Sequence, residues 1–319
     1  MGESEIIARE LLPDSHEKLP NLLSRVWGHE TEWRYWEWKF SDYPFNKKGI
    51  VFENKQGDPV AMLAFWIRPT KFGKTKCFPR MATDIMADPN YRGTGISRVM
   101  LGIVSRELNN DEIIFGFTNP VSHHLFSKYN EAYVRARCRI SIMTLIINER
   151  NYLSKHHVIN LGLTNIWRFV LRSFLKIRPR KNIVIKRCYE IGDEFDTLWE
   201  NVSMDYCWIQ NRGKKYLEWR YLSAPYREYQ IWKALEDQQI VGYLVTAIKN
   251  TSGKMKGFLV DWLVPRNRPA VFKALVRNAL LYLIAKKIDA VDVWVLPFEK
   301  QWKRILSGHF FLRNRRDQF

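Results

Sequence analysis

A short aromatic and charged segment occurs twice in this chain. Tyr35-Trp36-Glu37-Trp38-Lys39-Phe40 returns 181 residues later as Tyr216-Leu217-Glu218-Trp219-Arg220-Tyr221. A proline follows each copy, Pro44 and Pro225. At the same offset Val60-Ala61-Met62-Leu63-Ala64 returns as Val241-Gly242-Tyr243-Leu244-Val245. Asp84 and Pro89 align with Asp261 and Pro265 at offsets of 177 and 176, as if a few residues were lost between. A period this long marks duplicated domains rather than a solenoid of short repeats. The 319 residues leave room for two ordinary domains, and 46% apolar residues can supply their cores. The expected organisation is a first half over 1–148, a linker over 149–187 and a second half over 188–319.

Each half reads as mixed α/β. In the first, Asp14 and Ser15 cap a helix over 15–27, and strands follow near 49–54, 59–67 and 78–87. A helix at 95–108, a strand at 112–118, a helix at 121–129 and strands at 132–147 complete it. In the second half helices are expected near 193–201 and 213–221, and strands at 229–235, 240–248 and 256–264. A helix at 269–286, a strand at 290–296, a helix at 298–306 and a terminal strand follow.

Residues 82–97 read ATDIMADPNYRGTGIS. An alternating strand, with Ile85 and Ala87 on one side and Met86 on the other, runs into Pro89. Arg92-Gly93-Thr94-Gly95-Ile96-Ser97 then leads into a helix. A strand, a glycine turn and a helix N-terminus in that order make an anion site. The turn presents its N–H groups and the helix dipole adds positive potential. Glycine is needed where the backbone turns sharply and a phosphate must approach.

The pattern Arg-x-x-Gly-x-(Gly/Ala) at 92–97 resembles motif A of the GNAT acyltransferase superfamily. Ser97 stands where that family prefers Gly or Ala. Residues 113–131, IIFGFTNPVSHHLFSKYNE, are similar to its motif B, with Asn119, Ser122, Leu125, Phe126, Lys128 and Asn130 at the family's spacing. The resemblance implies two tandem GNAT-like domains with acetyl-CoA as acyl-donor substrate. Its pyrophosphate would lie on Arg92, Gly93, Thr94, Gly95, Ile96 and Ser97. Its pantetheine arm would lie along the backbone of Met86 and Ala87, with Asn119 near the thiol. Many relatives use a tyrosine to protonate the leaving thiolate where this chain has Phe126. Tyr129 is then a substitute, or the thiolate leaves unassisted, since a thiol pKa is roughly 8.5.

The second half lacks the loop. After Pro265 comes Arg266-Asn267-Arg268-Pro269-Ala270, and Pro269 has no N–H to offer. The first half is therefore expected to bind the cofactor, and the second to shape the acceptor cleft or simply buttress the first.

Acyl transfer needs a polarised carbonyl and an exit for the amine proton. Asp84, on the cofactor strand, is a candidate base, and so are His123 and its neighbour His124 at the start of the motif B helix. For each the plainer alternative is a cap or an ion pair. Glu37 sits near where relatives hold the acceptor, but its echo Glu218 favours a structural role. Trp33, Tyr35, Trp36 and Trp38 either stack on a sugar or fill a core. No triad and no metal-ligand cluster is visible. Cys77, Cys138, Cys188 and Cys207 are scattered without paired spacing, which fits a reducing compartment.

The net charge is +18, and it is unevenly placed. Between Glu149 and Glu190 there is no acid, while ten Lys and Arg residues lie there. Within 160–180, Arg168, Arg172 and Lys176 form one basic stripe at helical spacing beside a wide apolar face. Such a helix either packs as a linker against both domains or lies on a membrane surface or lipid-linked substrate. Residues 1–19 have no apolar signal core, and no run of ~20 apolar residues follows. The expected location is cytoplasmic, with peripheral membrane contact as a variant.

The leading expectation is an acyltransferase moving an acetyl or other acyl group from CoA to a small-molecule amine, an amino sugar or a cell-envelope precursor. The alternatives are an aminoacyl-tRNA-dependent transferase of the tandem type, favoured by the charge, and a non-catalytic membrane-surface protein. The Arg92 loop weighs against the tRNA reading, which has no use for a CoA diphosphate site.

Overall fold

The computed structural model describes residues 6–11, 17–30, 32–107, 113–117, 140–148, 163–176, 182–251 and 253–313. The first half runs β1 (Ile7–Glu10), α1 (Leu19–Trp27), α2 (Trp33–Trp36), β2 (Lys47–Glu53), β3 (Pro59–Ile67), β4 (Thr70–Phe72), β5 (Thr75–Cys77), β6 (Arg80–Ala87), α3 (Ile96–Glu107) and β7 (Ile114–Phe115). After it come β8 (Ser141–Ile146), α4 (Leu163–Lys176), β9 (Val184–Cys188), α5 (Glu194–Ser203), β10 (Trp208–Gln210), α6 (Lys214–Leu217), β11 (Tyr229–Glu236), β12 (Gln239–Thr251), β13 (Lys254–Leu263), α7 (Pro269–Ala285), β14 (Ala290–Val295), α8 (Lys300–Ser307) and β15 (Leu312–Arg313). The helix expected over 15–27 begins only at Leu19. Pro20 sits in its first turn, where a missing N–H costs nothing.

The duplicated segments fold alike. In each copy a single helical turn widens into a π-turn, Glu37–Ser41 after α2 and Glu218–Leu222 after α6. In each copy the strand carrying the conserved-offset aspartate has a bulge at the same place. The β3–β6 register jumps between Ala64↔Asp84 and Phe65↔Ala82, leaving Thr83 as the extra residue. The β12–β13 register jumps between Val245↔Asp261 and Thr246↔Leu259, leaving Val260 as the extra residue. The residues missing from the second copy lie in the hairpin. β12 turns directly into β13, whereas the first half inserts β4 and β5 there.

That insertion joins the halves. β4 pairs antiparallel with β10 as well as with β5, forming a small sheet of order β10-β4-β5. The first sheet has the order β1-β2-β3-β6-β7, and the second β15-β8-β14-β13-β12-β11-β9. β8 lies before the boundary expected at 148, yet it pairs antiparallel with β14 along its whole length. Of the strands expected over 132–147 to complete the first half, the described part, β8, instead joins the second sheet. Alternation marks a half-buried strand but carries no information about which sheet will take it. Thr144 Oγ1 donates to Asp292 at 2.7 Å across that pairing.

One core fills the outer face of the second sheet, built on Phe272, Leu275, Leu280, Leu283, Trp302 and Val291. Another lies between the halves and draws Trp38, Tyr43 and Trp66 from the first and Phe195, Trp219 and Tyr243 from the second. The aromatic repeat is thus core at Trp36 and Trp38, while Trp33 is exposed and Tyr35 half-buried.

α4 packs one face inward. Leu171 and Leu175 are buried in the core of the second sheet, Trp167 Nε1 donates to Ile146 O at 2.9 Å, and Arg277 donates to Leu175 O at the helix C-terminus. Its outer face carries Ile166, Phe169 and Val170, all exposed, beside Arg168, Arg172 and Lys176. No described helix is long and apolar enough to cross a membrane.

Candidate functional site

The glycine corner has the geometry its residues imply. Asp88 accepts the Asn90 N–H at 2.9 Å and starts a 3-10 turn at Pro89–Tyr91. Arg25 Nε holds the same carboxylate at 2.5 Å and its Nη2 bonds Pro59 O at 3.0 Å, tying the corner to α1. Gly93 and Gly95 lie at φ +83° and +90°, the left-handed region where other residues are strained. Thr94 Oγ1 donates to Tyr91 O at 2.7 Å and stiffens the turn between them.

Four backbone N–H groups follow from this. Arg92 N–H is spent on Pro89 O and Thr94 N–H reaches Tyr91 O, while Arg98 and Val99 N–H bond Gly95 O. The N–H groups of Gly93, Gly95, Ile96 and Ser97 have no partner among the described residues. A Cβ built on either glycine would meet nothing within 4 Å, so the space in front is open. Ile96 and Ser97 open α3, whose dipole adds to the field there. The Arg92 and Arg98 side chains are exposed and carry no ion pair among the described residues.

The matching corner of the second half is closed. Arg266 N–H bonds Asp205 Oδ2 at 2.9 Å, Arg268 N–H bonds Pro265 O at 3.0 Å, and α7 begins on Pro269. The Arg266 side chain pairs with Glu299 at 2.6 Å and that of Arg268 with Glu236. The backbone and side-chain donors of this corner are thus already engaged by Asp205, Glu299 and Glu236.

The strand expected to carry the cofactor is β6. It pairs parallel with β7 only at Arg80↔Ile114 and Met81↔Phe115. Beyond that its outer edge has no strand partner among the described residues. Asp88 N–H bonds Val60 O at 2.8 Å, and the antiparallel ladder alternates from there. Met86 N–H and C=O therefore face β3. Those of Ile85 and Ala87 face the open edge. The Thr83 bulge sets this parity, because one extra residue reverses which groups point outward. Of the two expected backbone contacts, Ala87 lies on the open edge and Met86 does not. Ile85 was missed because bulges leave little trace in sequence.

Asp84 lies on the opposite face from α3 and is buried. Its Oδ2 is 2.6 Å from Lys39 Nζ, itself buried. Lys39 Nζ lies 5.5 Å from the Trp27 ring centre and 5.4 Å from that of Tyr35. Burial pushes the ammonium toward losing its proton, but Asp84 and the Tyr35 hydroxyl together outweigh it, and Lys39 is held above the ordinary lysine range. Burial raises the Tyr35 hydroxyl, with Lys39 pulling the other way. Burial also pushes up the Cys77 and Cys188 thiols, away from a nucleophilic thiolate. Asn119, His123 and Tyr129, with the rest of the second motif, lie outside the described residues.

An open-edged strand with a bulge, a glycine turn with free amides and a helix occur in the first half, and the arrangement returns in degenerate form in the second. Solved structures superpose on nearly the whole chain. Saccharomyces cerevisiae N-myristoyltransferase with bound myristoyl-CoA matches at TM-score 0.62 and 10% identity, over 98% of this chain and 81% of its own. A tandem GNAT protein from the clavulanic acid biosynthesis pathway matches at 0.61 and 11%, over 97% and 95%. A GCN5-related N-acetyltransferase from Anabaena variabilis matches at 0.58 and 12%, over 92% and 67%. No family model and no curated protein matches the sequence. The chain therefore has the GNAT superfamily fold in tandem, a mixed α/β structure of two GNAT-like halves.

Proposed function

We propose that this chain is an acyltransferase that carries an acyl group, acetyl in the simplest case, from CoA to an amine. The observation that carries the reading is the set of four unpaired N–H groups at Gly93, Gly95, Ile96 and Ser97, at a helix N-terminus and facing open space. A diphosphate is one anion that such a set of amides satisfies. The likeness to solved N-acyltransferases at 10–12% identity supports the fold and leaves the donor's chain length open.

In this reading the pantetheine arm pairs with the open edge of β6 at Ile85 and Ala87. An N–H on that edge polarises the thioester carbonyl. The amine attacks the carbonyl carbon, the C–N bond forms, the C–S bond breaks and CoA leaves as thiolate. The amine proton goes to a base, for which Asp84, His123 and water remain the candidates. Asp84 starts from an ion pair with Lys39. Tyr129 is the candidate to return a proton to the thiolate. The second half, with its corner closed, serves the acceptor side and binds no second cofactor.

Calorimetry with acetyl-CoA and a long-chain acyl-CoA tests this. Saturable binding of either, abolished by Gly95→Trp, is expected. No binding of either donor, or binding that Gly95→Trp leaves unchanged, ends the reading.

One observation favours an additional membrane role. The outward stripe of α4 sets Ile166, Phe169 and Val170 beside Arg168, Arg172 and Lys176, a pattern suited to an anionic bilayer surface. Flotation with phosphatidylserine vesicles, lost in Phe169→Glu, would support it. Failure to float at low salt would remove it.

A further inference from the structure

The duplication leaves one cation without its carboxylate. Lys39 and Arg220 occupy the same place in the two π-turns, 181 residues apart, and Asp84 and Asp261 occupy the same place beside the two bulges. In the first half these residues pair. In the second half Asp261 is taken by other groups. Arg212 Nε lies 2.9 Å from Oδ1 and 3.2 Å from Oδ2, the Tyr221 hydroxyl donates to Oδ2 at 3.0 Å, and Trp262 N–H donates to Oδ1 at 2.9 Å.

Arg220 instead lies among rings. Its guanidinium carbon is 5.7 Å from the Trp38 ring centre and 5.9 Å from each of Tyr226 and Tyr229. Its one hydrogen bond among the described residues goes to the Tyr226 hydroxyl. No acid among the described residues pairs with it. A guanidinium has five donors in a planar fork, so most are unused here. The group is half-buried, and Tyr226, at its rim, is exposed. Rings on several sides strip water from the cation and strengthen any ion pair it makes with an entering anion.

The position links this cation to the cofactor strand. Tyr226 meets Tyr35 edge-on at 5.7 Å, Tyr35 lies against Lys39, and Lys39 pairs with Asp84 on β6. The cage spans both halves, with Trp38 and Tyr35 from the first and Arg220, Tyr226 and Tyr229 from the second.

We propose that Arg220, in its cage of Trp38, Tyr226 and Tyr229, receives an oxyanion carried by the acceptor, so that the amine substrate bears a carboxylate or a phosphate. This rests on the acyltransferase reading and adds the acceptor's charge to it. It also gives the second half a task, which is to hold the acceptor's anionic end while its amine faces β6.

The test uses the full chain and amine pairs differing only in the oxyanion, β-alanine against propylamine and O-phosphoethanolamine against ethanolamine. CoA release is followed with acetyl-CoA, and binding to the donor-loaded protein by calorimetry. At least one charged member is expected to exceed its neutral partner by tenfold or more. The pair that does so tells carboxylate from phosphate. Arg220→Gln should erase the preference by lowering the oxyanion-bearing member's rate tenfold or more, with acetyl-CoA binding unchanged. Arg220→Lys should restore part of it, since charge survives and the fork does not. A thermal melt shows that each variant folds. Equal behaviour of charged and neutral members, no detectable binding of any charged member, or equal losses for both members in Arg220→Gln overturn the proposal. Failure of the wild type to bind any acyl-CoA overturns the acyltransferase reading instead, and is seen in a separate titration.

Discussion

The indoles of Trp38 and Trp219 stack at 4.9 Å with 6° between their planes, and each donates its N–H to the other's backbone carbonyl, at 2.8 and 2.7 Å. They are the same residue of the repeat, so the duplicated segments meet each other about a local two-fold. The contact explains why both copies kept the tryptophan. Each ring is at once a core side chain of its own half and the cap on the other's π-turn.

Trp38→Ala should therefore damage both halves. A loss of about 3–5 kcal/mol is expected from the cavity alone. Trp219→Ala should cost about the same, and the double variant should cost less than the two singles together, because they share one contact. Trp38→Phe keeps the ring stack but leaves the Trp219 carbonyl unpaired, for about 1–3 kcal/mol. Urea unfolding of the four proteins checks the cycle. Additive losses would mean the rings are energetically independent.

Gly95 sits at φ +90° with open space where a side chain would go. Gly95→Ala meets no atom, so its cost is backbone strain, about 1–2 kcal/mol. Donor affinity should fall about tenfold as the N–H groups rotate off the diphosphate. Gly28→Ala is the control, since Gly28 at φ +73° ends α1 and makes no part of the loop. It should lower stability similarly and leave donor binding intact. Calorimetry and a thermal melt on the same samples separate the two effects.

The Lys39–Asp84 pair is buried on both sides. Asp84→Asn strands a buried ammonium and should cost about 3–5 kcal/mol, while Lys39→Met with Asp84→Leu should recover much of it. The pH dependence has a definite sign. Lys39 is held above the ordinary lysine pKa, so the pair's stabilisation is complete below about 10.4 and is lost as pH rises through the higher folded value. Denaturation scans from pH 8 to 11.5 should show a steeper alkaline fall in the wild type than in the double variant.

His309 gives the opposite slope at acid pH. It is buried, with Nδ1 2.8 Å from Ile305 O and its ring against Phe174 of α4. Burial, assisted by Arg277 and Lys273, holds its pKa below the usual 6.5. Above that value the ring is neutral in both states. As pH falls below it the unfolded chain takes up a proton first, so stability declines, by at most about 1.4 kcal/mol per pH unit, until the folded value is reached. His309→Gln should flatten the decline between pH 6.5 and 5. An unchanged slope would place the acid sensitivity elsewhere.

What could be read from the residues was local. Gly93 and Gly95 are legible because a left-handed φ is nearly a glycine privilege, and the loop, the following helix and the strand before it are contiguous. That the corresponding corner of the second half lacks the glycine turn was legible too, because Pro269, at the start of its helix, has no N–H. The longer strands of both large sheets showed in their apolar patterns, but β1, β4, β5, β9 and β10 are too short to stand out.

Sequence by itself determined that the chain is two copies of one design and that one copy keeps an open glycine corner. Both are properties of neighbouring residues and of their recurrence. Tertiary structure alone decided that the copies face each other through Trp38 and Trp219. It also decided that β8 joins the second sheet, that a bulge at Thr83 turns Ile85 and Ala87 to the open edge, and that Arg212 takes the aspartate and leaves Arg220 its aromatic cage. Pairing partners, ladder parity and ion-pair choice depend on groups tens to hundreds of residues apart. No local propensity selects among them, and burial of the shared core does.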